Sequence, residues 1–96
     1  YGTGTGALAP FLDLRIEVGT GGSSSSCAGF SSSGTLFDDT LAQFAASHTN
    51  WSNGLAAFSA TGTPTARTFR VTAVVQDDDA AQGLSANAGF TWETQV

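Results

Sequence analysis

The sequence has no lysine and no methionine, and its only basic side chains besides His48 are Arg15, Arg67 and Arg70. Eight acidic residues outweigh them, for a net charge of −5. Grip on a phosphate backbone depends on clustered Lys and Arg, so a sequence-neutral nucleic-acid binder is excluded. The same shortage argues against docking on an anionic lipid surface. No apolar run approaches the ~18 residues of a membrane-spanning helix, so no membrane span is expected. Charged residues make up 11 % of the chain, less than half of the ~25 % usual in soluble domains. Hydroxyls and glycine take their place, with 13 Thr, 11 Ser and 12 Gly. Thr suits pleated surfaces, while Gly and Ser fill turns, a composition that fits an exported β-rich structural protein. The 96 residues allow a single domain with one modest core.

Alternation of apolar and polar residues marks the strands. Over Phe11–Val18, Leu12, Leu14, Ile16 and Val18 alternate with Asp13, Arg15 and Glu17, which predicts a half-buried strand with the charges outward. Ala66–Gln76 repeats the pattern, with Phe69, Val71, Ala73 and Val75 on one side and Arg70, Thr72, Val74 and Gln76 on the other. Leu84–Gln95 places Leu84, Ala86, Ala88, Phe90 and Trp92 on one face, so Trp92 reads as core. The Asp77–Gly83 stretch between the last two permits a hairpin with a long loop. Cys27–Phe30, Thr35–Phe37 and Leu55–Phe58 are shorter candidates. Tyr1–Gly6 (YGTGTG) reads either as a flexible lead-in or as a pairing strand, whose glycines would allow close backbone approach.

Asp38–His48 is the one helical stretch, with Leu41, Phe44 and Ala45 at i, i+3 and i+4 and Asp38 or Asp39 as its cap. Gly19–Ser26 and Ser31–Gly34 read as loops, Asn50–Gly54 as a turn and Thr61–Thr65 as a loop around Pro64. The glycines of the first loop lack the following Lys and helix of a phosphate cradle. Together these elements predict an all-β, antiparallel sandwich with one short helical turn near residues 38–48.

The chemistry-bearing residues are sparse. His48 has no second His and no acidic neighbour at helical spacing, so it reads as an exposed loop residue and not a zinc ligand. Asp77, Asp78 and Asp79 form a solvated turn, with calcium as the weaker alternative because their spacing is unlike an EF-hand. Glu17 and Glu93 are the only glutamates, and neither stands out as half of a glycosidase pair. Trp51 in its loop could stack on a sugar. Asn50-Trp51-Ser52 is formally a glycosylation sequon. Cys27 is either a small buried apolar group or half of a disulfide whose partner lies outside these residues. No catalytic residue and no cofactor is expected.

Several segments resemble the TasA/camelysin family of exported prokaryotic surface proteins. The likeness runs from Arg67-Thr68-Phe69-Arg70-Val71-Thr72 through Gln76-Asp77-Asp78-Asp79-Ala80-Ala81-Gln82-Gly83-Leu84 to Phe90-Thr91-Trp92-Glu93-Thr94-Gln95. Leu12–Gly19, Cys27-Ala28-Gly29-Phe30 and Thr35-Leu36-Phe37-Asp38-Asp39-Thr40-Leu41 are similar to the family's middle region. The resemblance implies a jelly-roll-like sandwich, export through a SipW-type signal peptide, and assembly into extracellular fibres in which a strand of one subunit completes the sheet of the next. It also implies that the family's first strands lie upstream of Tyr1. Camelysin relatives have been classed as metallopeptidases, but no zinc motif here supports that activity.

The strand count points the same way, since five or six strands fall short of the roughly eight of a jelly roll. An unpaired apolar edge is a template for another chain, and head-to-tail repetition of such a contact builds an open filament. The sequence therefore predicts a non-enzymatic, secreted or cell-surface fibre subunit whose partners are copies of itself. The candidate contact residues are Tyr1, Thr3 and Thr5 in the lead-in, Leu12, Leu14 and Ile16, then Phe69, Val71, Phe90 and Trp92. The alternative is a secreted carbohydrate-binding or adhesion module using Trp51.

Overall fold

The alternating stretch after Phe11 forms the central strand of the larger of two antiparallel sheets among the described residues. In the computed structural model, which describes residues 1–56 and 66–93, the elements are β1 (Gly2–Thr5), β2 (Leu12–Thr20), β3 (Ser31–Thr40), α1 (Leu41–Ser47), β4 (Thr68–Val75) and β5 (Asn87–Phe90). The larger sheet has the order β3-β2-β4, and β1 and β5 form a separate two-stranded ribbon. The fold is all-β and sandwich-like with one short helix, as the sequence predicts. Its two sheets are joined by that helix.

Thr40 starts α1 by accepting the Gln43 amide on its hydroxyl at 3.2 Å. The expected caps, Asp38 and Asp39, are still in β3, paired with Arg15 and Leu14 of β2. A seven-residue helix is marginal alone, so its stability comes from burial. Among the described residues Leu41 and Phe44 are the two most completely enclosed large side chains. Phe44 meets Phe37 of β3 edge-on at 5.3 Å and Phe90 of β5 at 5.6 Å, while Leu14 and Ile16 of β2 close the same cluster. Each such side chain contributes about 1.5–3 kcal/mol on burial.

The opening Tyr1–Gly6 segment is a strand of its own chain and not a flexible lead-in. Its β1 pairs antiparallel with β5, Gly2 opposite Phe90 and Thr5 opposite Asn87. The Tyr1 ammonium and carbonyl exchange hydrogen bonds with Thr91 at 3.1 and 2.7 Å. Gly2 and Gly4 face the helix: a methyl group on Gly4 would lie 2.7 Å from Leu41 and 3.3 Å from the Ala45 methyl.

Several expected elements differ. Ser31–Gly34 belongs to β3, because pairing with Val18–Thr20 overrides its loop-like composition; two register shifts mark the cost. Cys27–Phe30 is a turn with Gly29 at φ +83°. The hairpin between the last two strands does not form, since β4 pairs with β2 and β5 with β1. Instead Asp78 caps a 3-10 turn over Asp79–Ala81 that carries the chain between sheets. The last strand is confined to Asn87–Phe90 among the described residues. Leu55 and Ala56 are not in a strand. The rest of Leu55–Phe58, the Thr61–Thr65 loop and the final residues of Leu84–Gln95 lie outside the described residues.

Candidate assembly surface

β2 is paired along both sides, so among the described residues β3 and β4 hold the two free edges of the larger sheet. The register puts Phe69, Val71, Ala73 and Val75 of β4 opposite Val18, Ile16, Leu14 and Leu12, on the face that carries the core. Among the described residues α1, itself covered by β1, packs over β2 and β3 and scarcely reaches β4. As a result Ile16 is 6 % exposed, whereas its cross-strand neighbour Val71 is 39 % and Val75 is 52 %. Val74, on the opposite face, is 57 % exposed. Among the described residues β4 therefore presents apolar side chains on both faces along an unpaired, bulge-free edge, which is the arrangement that recruits another strand. Trp92 marks one end of this surface: it is 61 % exposed and leans on the Phe69 ring at 5.5 Å. The core placement expected for it fails because β5 ends at Phe90.

On the far face a charged clamp holds β4 to the sheet. Arg70 donates from Nε and a terminal nitrogen to Oε1 of Glu17 at 2.9 and 2.8 Å, with Arg15 at 3.5 Å from the same oxygen. The Arg70 guanidinium also lies 4.7 Å over the Phe30 ring, a cation–π contact. Glu17 is only 6 % exposed, where the sequence suggested an outward charge. Alternation gives the face correctly, but the Phe30 loop and the arginines cover it. Pairing the two strong strands antiparallel would have placed Glu17 opposite Arg70, the signal that sequence reasoning missed.

The hydrogen bonds from Arg70 hold the Glu17 carboxyl below the usual carboxylate range. Burial opposes this, and the Ser32 hydroxyl and the two guanidinium charges reinforce it. A depressed folded-state pKa means the clamp's contribution is full above the unfolded value of 4.5 and is lost as pH falls through the folded one. Urea unfolding measured from pH 7 down to pH 3 is expected to show this acid loss, and Glu17→Gln to show a shallower one. Identical acid slopes for the two proteins would remove the clamp from the account.

The other expected contact residues scatter. Leu14 and Ile16 are sealed in the core and Leu12 is packed against it, so a central strand cannot offer them to a second molecule. Phe90 is likewise packed on Phe44. Thr3 and Thr5 are exposed on the outer side of β1. Tyr1 is engaged within the chain, its hydroxyl donating to Glu93 at 2.6 Å, and that carboxylate pushes the phenol pKa up. Val71 is exposed on β4, while Phe69 is half-buried against Trp92.

Cys27 is a free, exposed thiol and not a buried one. His48 is half-buried at the end of α1, against Phe37 and Phe44, and its Nδ1 donates to the Asn53 carbonyl at 2.7 Å. The exposed loop position expected for it is replaced by a capping one. Asp78 accepts the Ala80 amide at 2.9 Å. Among the described residues no group of three His, Cys, Asp or Glu side chains could hold a metal ion. Trp51 is half-exposed on a 3-10 turn that Asn50 and Asn53 cap reciprocally. No helix among the described residues is long and apolar enough to cross a membrane.

Comparison of the chain with protein-family models, curated proteins and solved structures gave no match.

Proposed function

We propose that this protein is a structural subunit of an extracellular filament or biofilm-matrix fibre, a secreted, non-enzymatic member of the TasA/camelysin family that polymerises head to tail by β-strand complementation. The reading rests above all on the edge of β4, where Val71, Val74 and Val75 are 39, 57 and 52 % exposed beside a backbone unpaired among the described residues. Isolated surface valines are ordinary. Three on one open edge strand, continuous with Phe69 and Trp92, form a surface that soluble monomers blunt with charge, Pro or bulges. None of these interrupts the run from Val71 to Val75.

Purified native protein, raised in concentration from micromolar to millimolar, is expected to form elongated polymers. Electron microscopy and sedimentation velocity together would show them. A single monomeric boundary throughout that range, with globular particles on the grid, would reject the reading.

A further inference from the structure

Resting on that reading, we infer that the strand received by β4 is the free edge of β3 from a second copy of this chain, running parallel to it, so that the three-stranded sheets join into one continuous sheet.

Direction and register support the pairing. Both β3 and β4 are antiparallel to β2 and hence parallel to each other, so simple translation of a copy brings the β3 edge alongside β4 in the right orientation. The rows of the sheet read Phe37–Ile16–Val71, Asp38–Arg15–Thr72, Asp39–Leu14–Ala73 and Thr40–Asp13–Val74. The two shifts in β3 fall opposite Ile16/Glu17 and Val18/Gly19, leaving Phe37–Thr40 regular. Unshifted translation therefore sets the regular half of β3 beside the exposed valines of β4.

The covering layer points to the same partner. It lies over β2 and β3 and leaves Val71, Ala73 and Val75 of β4 exposed. Strands are about 4.8 Å apart, less than the ~10 Å width of a helix. The α1 of a copy joined through β3 thus shields the neighbouring face of Val71 and Ala73. Pairing β4 with β4 would satisfy the backbone but set two bare faces side by side.

Charge also separates unlike from like edges. Arg70 lies on β4, and Asp38 and Asp39 lie on β3. On the outer face the junction places Asp38 of the second copy diagonal to Arg70, whose guanidinium stays on Glu17 and adds only its positive field. A β3–β3 contact would oppose acids. Asp39 is turned onto its own neighbour, accepting the Thr40 amide at 2.7 Å.

Two edge-blocked variants test the arrangement. Ala73→Pro blocks β4 and leaves β3 intact, since the Ala73 amide alternates with that of Gln76, which binds Phe11, and so points away from β2; Asp38→Lys does the reverse. Each alone is expected to stay monomeric at concentrations where the native protein polymerises, with unchanged circular dichroism. Mixed in equal amounts they should give a 1:1 dimer that grows no further, seen by sedimentation equilibrium. Val75→Pro and Thr35→Lys replace them if either fails to fold. Dimers or filaments from either variant alone, or a mixture that remains monomeric, would overturn the β4–β3 pairing while native polymers still stand. Absence of native polymers would remove the assembly reading itself. Filaments built this way should also repeat every three strands, about 14 Å along the sheet.

Discussion

Phe44→Ala is expected to cost about 3–5 kcal/mol of stability, a large share of the roughly 5–14 kcal/mol that a domain of this length possesses. The reason lies in what the ring joins. The two sheets share little direct packing, and Phe44, 1 % exposed, reaches Phe37 on one sheet and Phe90 on the other. Removing it leaves a cavity on both sides of the helix, and each flanking ring loses its partner. Backbone hydrogen bonds hold β1 to β5 and β2 to its neighbours, so neither sheet can shift freely to fill the space. Phe44→Leu, which keeps most of the volume, should cost well under half as much. Urea unfolding followed by tryptophan fluorescence gives both values. A loss below about 1 kcal/mol for the alanine variant would show that the sheets cohere without the helix.

Much of this arrangement is readable from residue pattern. The alternations of Leu12–Val18 and Thr68–Val75 are strong because one face of each strand must be apolar, and the i, i+3, i+4 spacing of Leu41, Phe44 and Ala45 marks the helix for the same reason. Pattern fails where tertiary pairing overrides composition. Ser31–Gly34 looks like a loop, yet β2 needs a neighbour on that side and takes it, with bulges. Pattern also reports which face is apolar without reporting whether anything covers it. Val71 and Ile16 are indistinguishable by alternation and stand opposite each other, yet one is open and the other closed. That difference, set by where α1 and the ribbon land, turns an ordinary strand into a candidate contact edge. Glu17 shows the converse, since an outward charge becomes buried once Arg70, Arg15 and Phe30 close over it.

The alternating glycines of the first strand lead to the second large effect. Gly2→Ala is expected to cost about 2–3 kcal/mol, although it adds one methyl group. That methyl would overlap the carbonyl oxygen of Gly89 and lie 2.9 Å from the Phe44 ring. The oxygen belongs to the paired strand, so it cannot rotate away as a side chain could. Gly2 must tilt off β5, or β5 must leave Phe44. Either movement loosens the bond from the Gly2 amide to the His48 carbonyl, 2.9 Å long, which ties the ribbon to the end of the helix. Thr5→Val, on the exposed side of the same strand, meets no such obstacle and should change stability by no more than about 0.5 kcal/mol. Hydrogen exchange sharpens the comparison. The amides of β1 and β5 should lose protection together in Gly2→Ala, while those of β2 and β4 change less, because the ribbon detaches as a unit. Equal stability of Gly2→Ala and Thr5→Val would mean that β1 does not lie against α1, and the helix would then lack the cover that encloses Leu41 and Phe44.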